Sequence, residues 1–384
     1  MYVHLQPYRI EEILSKMILI SQRFISLVFV LLFATNLFAG SAEKPSGSKE
    51  FDVNHMIMHH IKDSHEFHIM DLNNSHGTKH SVSFPLPIIL WTDNGLVTFL
   101  SSAFKHKDDG SALVQIGGQS FTKYHEKIYY ADTTTGSKKY ISYDKNGNIA
   151  NLKPLDLSIT KMVFSMFISL AFLVFIFIAT AKSYSKSSKG APTGLGKFTE
   201  PLIMFIKDEV AVPMIGEKNY KKYMPFLLTL FFFIWINNVM GLIPFFPFSA
   251  NLSGNIAFTF VLAFLTFIIT TFVAKRDYWK HIFWMPGIPV PMKLFLAPIE
   301  FLGIFIKPIS LMIRLFANIT AGHIIILSLI SLIFIFKSLW LAPASLFFSV
   351  FISLIEVLVV AIQAYIFTML SALYIGSAIE EHEH

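Results

Sequence analysis

Residues Lys307–His323, KPISLMIRLFANITAGH, place an arginine in the middle of a run otherwise fit for lipid. Leu294–Ile306 before it carries a single charge, Glu300, and Ile324–Phe336 after it carries none. Arg314 therefore has no short route to a membrane interface. A guanidinium at the centre of a spanning helix costs about 2.5–3.5 kcal/mol on insertion scales, so such a residue turns towards a protein interior or water. No acid stands three or four residues away to neutralise it. At roughly 100° per residue, Glu300, Lys307, Arg314 and Asn318 share one stripe of a helix, with Ser310 beside it. His323, nine residues past Arg314, falls about half a turn round and looks elsewhere.

Length adds a second constraint. As one helix, Leu294–Phe336 would run about 64 Å against a hydrocarbon core of about 30 Å, so it must break at Pro308 and Gly322 or lie steeply tilted. The next apolar run, Leu341–Ile379, has the same excess. It carries Glu356 and Gln363 seven residues apart, hence on one face. A turn near Lys337–Pro343 folds it back on the first run, and a tilted hairpin is expected. Ser310, Asn318 and Gln363, taken singly, are also residues that helices use to hydrogen-bond one another in lipid. Arg314 is not accounted for in that way.

The run PISLMIRLFANITAGH, followed by VLVVAIQAYIFTMLSALYI, resembles subunit a of the F-type ATP synthase. The likeness rests on K-P-x-S-x-x-x-R-L-F-x-N, on Ala321-Gly322 shortly after it, on Q-A-x-I-F in the second run, and on Glu300 fourteen residues before the arginine. It implies a non-catalytic stator subunit that conducts protons past a rotating ring of c subunits, whose carboxyl groups lie outside this chain. It also implies a peripheral-stalk b subunit and the remaining Fo and F1 subunits as partners, and no cofactor or metal. By the same resemblance, Asn255, Asn318, His323, Glu356 and Gln363 line an outer half-channel, and Glu300 and Ser310 an inner one. Arg314 stands between them, attracts the ionised ring carboxylate and blocks leakage. Many bacterial members carry Glu at the position of His323 and His at that of Glu356. That exchange implies that the two side chains touch.

Composition agrees with a membrane protein: 54% of the 384 residues are hydrophobic, 15% charged, 40 are Phe, and mean hydropathy is +0.57. With no cysteine, disulfides and thiolate metal sites are excluded. The net charge of +6 reflects lysines beside apolar spans, where they set topology, and does not call for nucleic acid. No P-loop is present, so nucleotide chemistry belongs to other subunits.

Residues 1–41 read as a signal peptide: Arg23, the apolar run Phe24–Phe38, then Ala39-Gly40-Ser41, with Met17 an alternative start. Residues 42–157 form no span and are expected outside the cytoplasm. Phe51–Met70 has a helical look and holds His55, His59, His60, His65 and His68, without the spacing of a metal site. Ser81–Trp91, Leu96–Phe104, Lys127–Ala131 and Lys139–Asp144 alternate, with turns at Asn94-Gly95 and Asn146-Gly147, and predict a small antiparallel β insert. Residues 158–384 form the transmembrane domain. Spans are expected at Met162–Ala181, Met224–Ile243 and Gly254–Ala274 before the two long helices. Phe198, Leu202, Phe205 and Ile206 mark an amphipathic helix that lies on the membrane or docks on a partner. Lysines over 182–222, with Lys275, Arg276 and Lys280, put those loops in the cytoplasm, giving an inner-membrane protein with its mature amino terminus outside and its carboxyl terminus inside. The fold class is thus an all-α polytopic membrane protein with five spans, a surface helix and a β insert.

Three other functions compete. A sodium-translocating version differs in ligands carried by the ring. An intramembrane metal-dependent hydrolase using His323 and Glu356 lacks an H-E-x-x-H motif and leaves Arg314 unexplained. A lone secondary transporter calls for an inverted repeat that the sequence does not show.

Overall fold

A computed structural model describes residues 63–73, 79–133, 138–145, 147–186, 193–243, 248, 250–285 and 287–380. The expected signal peptide lies outside them, as do His55, His59 and His60.

Among the described residues five helices are long and apolar enough to cross a membrane. They are α1 (Lys161–Lys186), α4 (Tyr220–Leu242), α5 (Ile256–Val273), α7 (Val290–Phe336) and α8 (Ala342–Ile379). Between α1 and α4 lie α2 (Leu195–Ile206), a π turn over Lys207–Ala211 and the short α3 (Val212–Ile215). The short α6 (Arg276–Phe283) precedes α7.

The long helix does not break. All 47 residues of α7 are helical through Pro298 and Pro308, which makes it roughly 70 Å long. A hydrocarbon core of about 30 Å accepts that length only at a steep tilt. Lys337, in the left-handed region at φ 47°, ends α7, and a single 3-10 turn at Leu339–Leu341 sends the chain back into α8. Leu311, Leu315 and Ile319 of α7, spaced four apart, belong to one buried cluster with Val360, Ala364 and Phe367 of α8 and Leu227, Phe231 and Ile234 of α4. Gly376 sets how closely α8 approaches its neighbours: a Cβ there would overlap the backbone carbonyl of Met214 in α3.

Helix α2 docks within this chain. Thr199 shares a 2.8 Å hydrogen bond with Thr180 of α1, the Phe205 ring lies 5.3 Å from that of Tyr365 in α8, and Ile206 is fully buried. Phe198 stays exposed, so the amphipathic face is divided between core and surface.

Among the described residues the insert has eight strands in three antiparallel sheets, ordered β1-β2, β4-β3-β8 and β5-β6-β7. Their ranges are β1 (Glu66–Asn73), β2 (Lys79–Pro85), β3 (Pro87–Thr92), β4 (Gly95–Leu100), β5 (Val114–Ile116), β6 (Gln119–Tyr124), β7 (Lys127–Tyr130) and β8 (Leu155–Asp156). The helical look of Phe51–Met70 does not hold at its end, since β1 begins at Glu66 and pairs along its length with β2. Cross-strand pairing there overrides the local pattern. Ser101–Phe104 is a 3-10 turn closing the expected strand, and Lys139–Asp144 is irregular apart from one bridge, Tyr143 to Ile149. The hairpin β5-β6 turns at Gly117 and Gly118, both at positive φ.

A charge cluster ties the insert together. His65, 3% exposed, places Nε2 3.0 Å from Asp156 and Nδ1 3.9 Å from Glu126. Lys123, 1% exposed, lies 3.6 Å from Glu126 and 3.7 Å from Glu66. Burial pulls the His65 imidazolium down, but the pairs with Asp156 and Glu126 outweigh it and hold the group at about 9. A folded value above the ordinary 6.5 means that this contribution to stability is complete below about pH 6.5 and lost as pH rises through about 9. Amide exchange in β3 and β8 of the full chain is therefore expected to accelerate between those pH values beyond the intrinsic base-catalysed increase. In His65→Ala the excess acceleration disappears.

Candidate functional site

The site follows from the unbroken helix. Buried Leu311, Leu315 and Ile319 fix which side of α7 meets the bundle, and Arg314 is thereby turned towards its margin, partly exposed. Beside it on the outward face stand Ser310, Ala317 and Ala321, all exposed and all small. Small side chains of this kind let another helix come close in lipid. Among the described residues no carboxylate pairs with the Arg314 guanidinium.

Asn318, one turn on, faces α8, and its Nδ2 donates to Gln363 Oε1 at 2.8 Å. The structure thus joins two of the residues singled out in the sequence. Glu356, two turns before Gln363 on α8, is 4% exposed, and among the described residues neither of its carboxyl oxygens has a hydrogen-bond partner. The side chain lies over Gly322, where a Cβ would come within 2.5 Å of Oε1. Among the described residues no hydrogen bond joins Glu356 to His323: the carboxyl group rests on the glycine next to the histidine. The helical offset explains this, since Gly322 falls on the face of α7 turned to α8 and His323 about 100° away.

Asn255 stands at the amino-terminal end of α5 as its cap, accepting from Ala257 N at 2.9 Å and donating to Met162 Sδ at 3.3 Å. Among the described residues no hydrogen bond of its side chain reaches the α7–α8 pair. Further buried groups near the hairpin lack partners. Thr320 Oγ1 on α7 and Ser349 Oγ on α8 are unsatisfied, as are the amide oxygens of Asn237 and Asn238 on α4. Before Val360 the buried residues of α8 are Ser345, Ser349 and Glu356, all three polar. The sequence reading passed over Thr320, Ser345 and Ser349. Their signal was the seven-residue spacing of Ser349 and Glu356 on one helical face.

At the other end of the seam, Glu300 lines a cavity of about 380 Å³ between α6, α7 and the end of α8. Asp277 and His281 of α6, Lys307 of α7, and Ser377 and Glu380 at the end of α8 line it too. The amide of Lys275 donates to the Ala378 carbonyl at 2.9 Å, holding the start of α6 against α8. Ser310 is not part of this cavity. Asp277, His281 and Glu380 escaped the sequence reading because α6 and the last residues of α8 meet only in the fold.

The Asn318–Gln363 bond gives a direct check of this geometry. A double-mutant cycle of Asn318→Ala and Gln363→Ala, followed by thermal unfolding in detergent, is expected to show coupling of about 0.6 and at most about 1.7 kcal/mol. Strict additivity would mean that the two amides do not meet.

Comparison with known proteins gives the site its family. A model of the ATP synthase A chain matches residues 162–376, and a domain of unknown function matches residues 56–157. An ATP synthase subunit a of Chloroherpeton thalassium is 44% identical over 235 residues, spanning 60% of this chain and 69% of the relative. One from an Anaeromyxobacter species is 40% identical over 238 residues, 60% of this chain and 56% of the relative. A second subunit a of Chlorobaculum tepidum is 46% identical over 230 residues, covering 58% and 64%. The matched region holds α7, nearly all of α8, the arginine and the polar seam, and the chain belongs to the ATP synthase A chain family.

Proposed function

We propose that in this Fo proton-channel stator subunit Arg314 is the fixed charge that separates two proton half-channels. The observation that carries the proposal is a guanidinium midway along an unbroken apolar helix, with small side chains around it and no acid paired to it among the described residues. A charge so placed is stabilised by a carboxylate brought from outside the chain. The carboxyl groups of a c ring supply it in turn.

Each arriving ring carboxyl is protonated. Beside Arg314 its ionised form is favoured, so the proton leaves it for the inner path. That path passes Ser310 and Glu300 into the cavity bounded by Asp277, His281 and Glu380. The ionised carboxylate then moves past the arginine and is reprotonated from the other side. The outer path enters near Asn255 and runs by His323 and Glu356 to the Asn318–Gln363 pair. Buried polar groups without partners are costly unless water reaches them, and Glu356, Ser349 and Thr320 are such groups along this route. Arginine holds its proton throughout, whereas a buried lysine can lose its own.

The lysines of 182–222 and of the Lys275–Lys280 segment support an orientation with the Glu300 cavity on the cytoplasmic side and the insert outside. The peripheral-stalk b subunit and the remaining Fo and F1 subunits complete the assembly. ATP-driven acidification of vesicles, followed with a pH-sensitive dye at low sodium, tests the proposal. Wild type is expected to pump, and Arg314→Ala to assemble without pumping. Normal pumping by the variant would make the arginine structural. Pumping that appears in wild type only with sodium would keep the geometry and change the ion.

A further inference from the structure

The insert carries an apolar surface that the proton path does not use. In the sheet β4-β3-β8, residues opposite one another point to the same face. Leu90 pairs with Val97 and Asp156 on the inner face, where both leucine and valine are buried. Trp91 pairs with Leu96 and Leu155 on the outer face, where all three are exposed, at 59, 58 and 62%. The pairing continues past β8: Leu157 N donates to Ile89 O at 2.9 Å and Ile159 N to Pro87 O at 3.1 Å. Leu157, 52% exposed, thus joins the outer row, and Leu100, opposite Pro87, adds another exposed leucine. A sheet with one face in water alternates apolar inside and polar outside. Here both faces are apolar, and contiguous exposed patches of this kind mark membrane or protein contacts.

We propose that this face lies on the bilayer surface, inserted among lipid headgroups and upper acyl chains on the side where α1 begins. Three observations select lipid. First, the strand that carries Leu155 and Leu157 runs through Ile159 into α1, which starts at Lys161, so the face begins within about 13 Å of a membrane helix. Second, the insert is fastened to that helix end. Lys161 N donates to Ser64 O at 2.8 Å, Met162 N to Asp63 Oδ1 at 3.1 Å, and the rings of Phe67 and Phe84 lie 5.7 and 6.0 Å from Phe164. A body held at both β1 and β8 has little freedom to lift away. Third, the side chains are those of an interface, a tryptophan flanked by leucines, and Phe167 and Leu170 on α1 are exposed as well. The surface thus acts as a second membrane anchor for the insert, and steadies the end of α1 against Asn255. It does not depend on the role given to Arg314.

The absence of native cysteine in this chain makes the test direct. Leu155→Cys and Leu96→Cys, each labelled with an environment-sensitive fluorophore, would be examined in the assembled complex in vesicles, beside Lys145→Cys as an exposed control. Lipids carrying a nitroxide high on the acyl chain are expected to quench both face labels several-fold more than the control, and aqueous iodide several-fold less. Iodide quenching equal to the control would overturn the proposal, with the face in water. Shielding from both quenchers would overturn it as well, by showing that another protein covers the face.

Discussion

An unneutralised guanidinium inside an apolar helix is the constraint on which the rest of this molecule depends. The free energy of holding Arg314 there is offset only if its surroundings are polar or if another charge arrives. Everything around it keeps those two conditions available. Leu311, Leu315 and Ile319 pin α7 against the bundle so that the arginine faces its margin, and Ser310, Ala317 and Ala321 leave that margin narrow. The Asn318–Gln363 bond ties the turn after the arginine to α8.

The length of α7 links this local arrangement to the two sides of the membrane. A helix of roughly 70 Å at a steep tilt carries Glu300 to a polar cavity at one end and Gly322 to the partnerless Glu356 carboxyl at the other. Close packing makes the geometry reproducible: Gly376 admits the Met214 carbonyl on one side of α8 and Gly322 admits Glu356 on the other. Each glycine is therefore a spacing element, and each lies on a helix that carries a residue of the proposed path. The hydroxyls of Thr266, Thr368 and Ser371 return hydrogen bonds to carbonyls four residues back, so these polar groups add no unsatisfied donors to the bundle.

Much of this was legible in the sequence, for identifiable reasons. Hydrophobic length located all five spans, and the cost of a buried arginine singled out Arg314 before any contact was known. The choice between a broken and a tilted α7 was not legible, because Pro308 and Gly322 argue for a break, whereas the helix runs on through both. The partnership of Glu356 followed from a pattern of exchange that fixes proximity but not which backbone lies between, and Gly322 was the missing detail. Asp277, His281 and Glu380 converge from separate elements, and no spacing along the chain encodes that. In the insert, β1 was obscured by a histidine-rich stretch with helical periodicity, and the Gly117-Gly118 hairpin was a signal present but unread.

The central claim is that the Arg314 face of α7 is apposed to moving carboxyl-bearing helices of another subunit. Disulfide cross-linking in the assembled complex measures this directly, with Ser310→Cys or Ala317→Cys on this chain and a cysteine one turn from the carboxyl group of a ring subunit. The account predicts a cross-linked product at both positions and arrest of ATP-driven proton pumping that reduction reverses. Failure to cross-link at either position, in complexes that assemble and pump, would contradict it and leave the arginine facing something other than the ring.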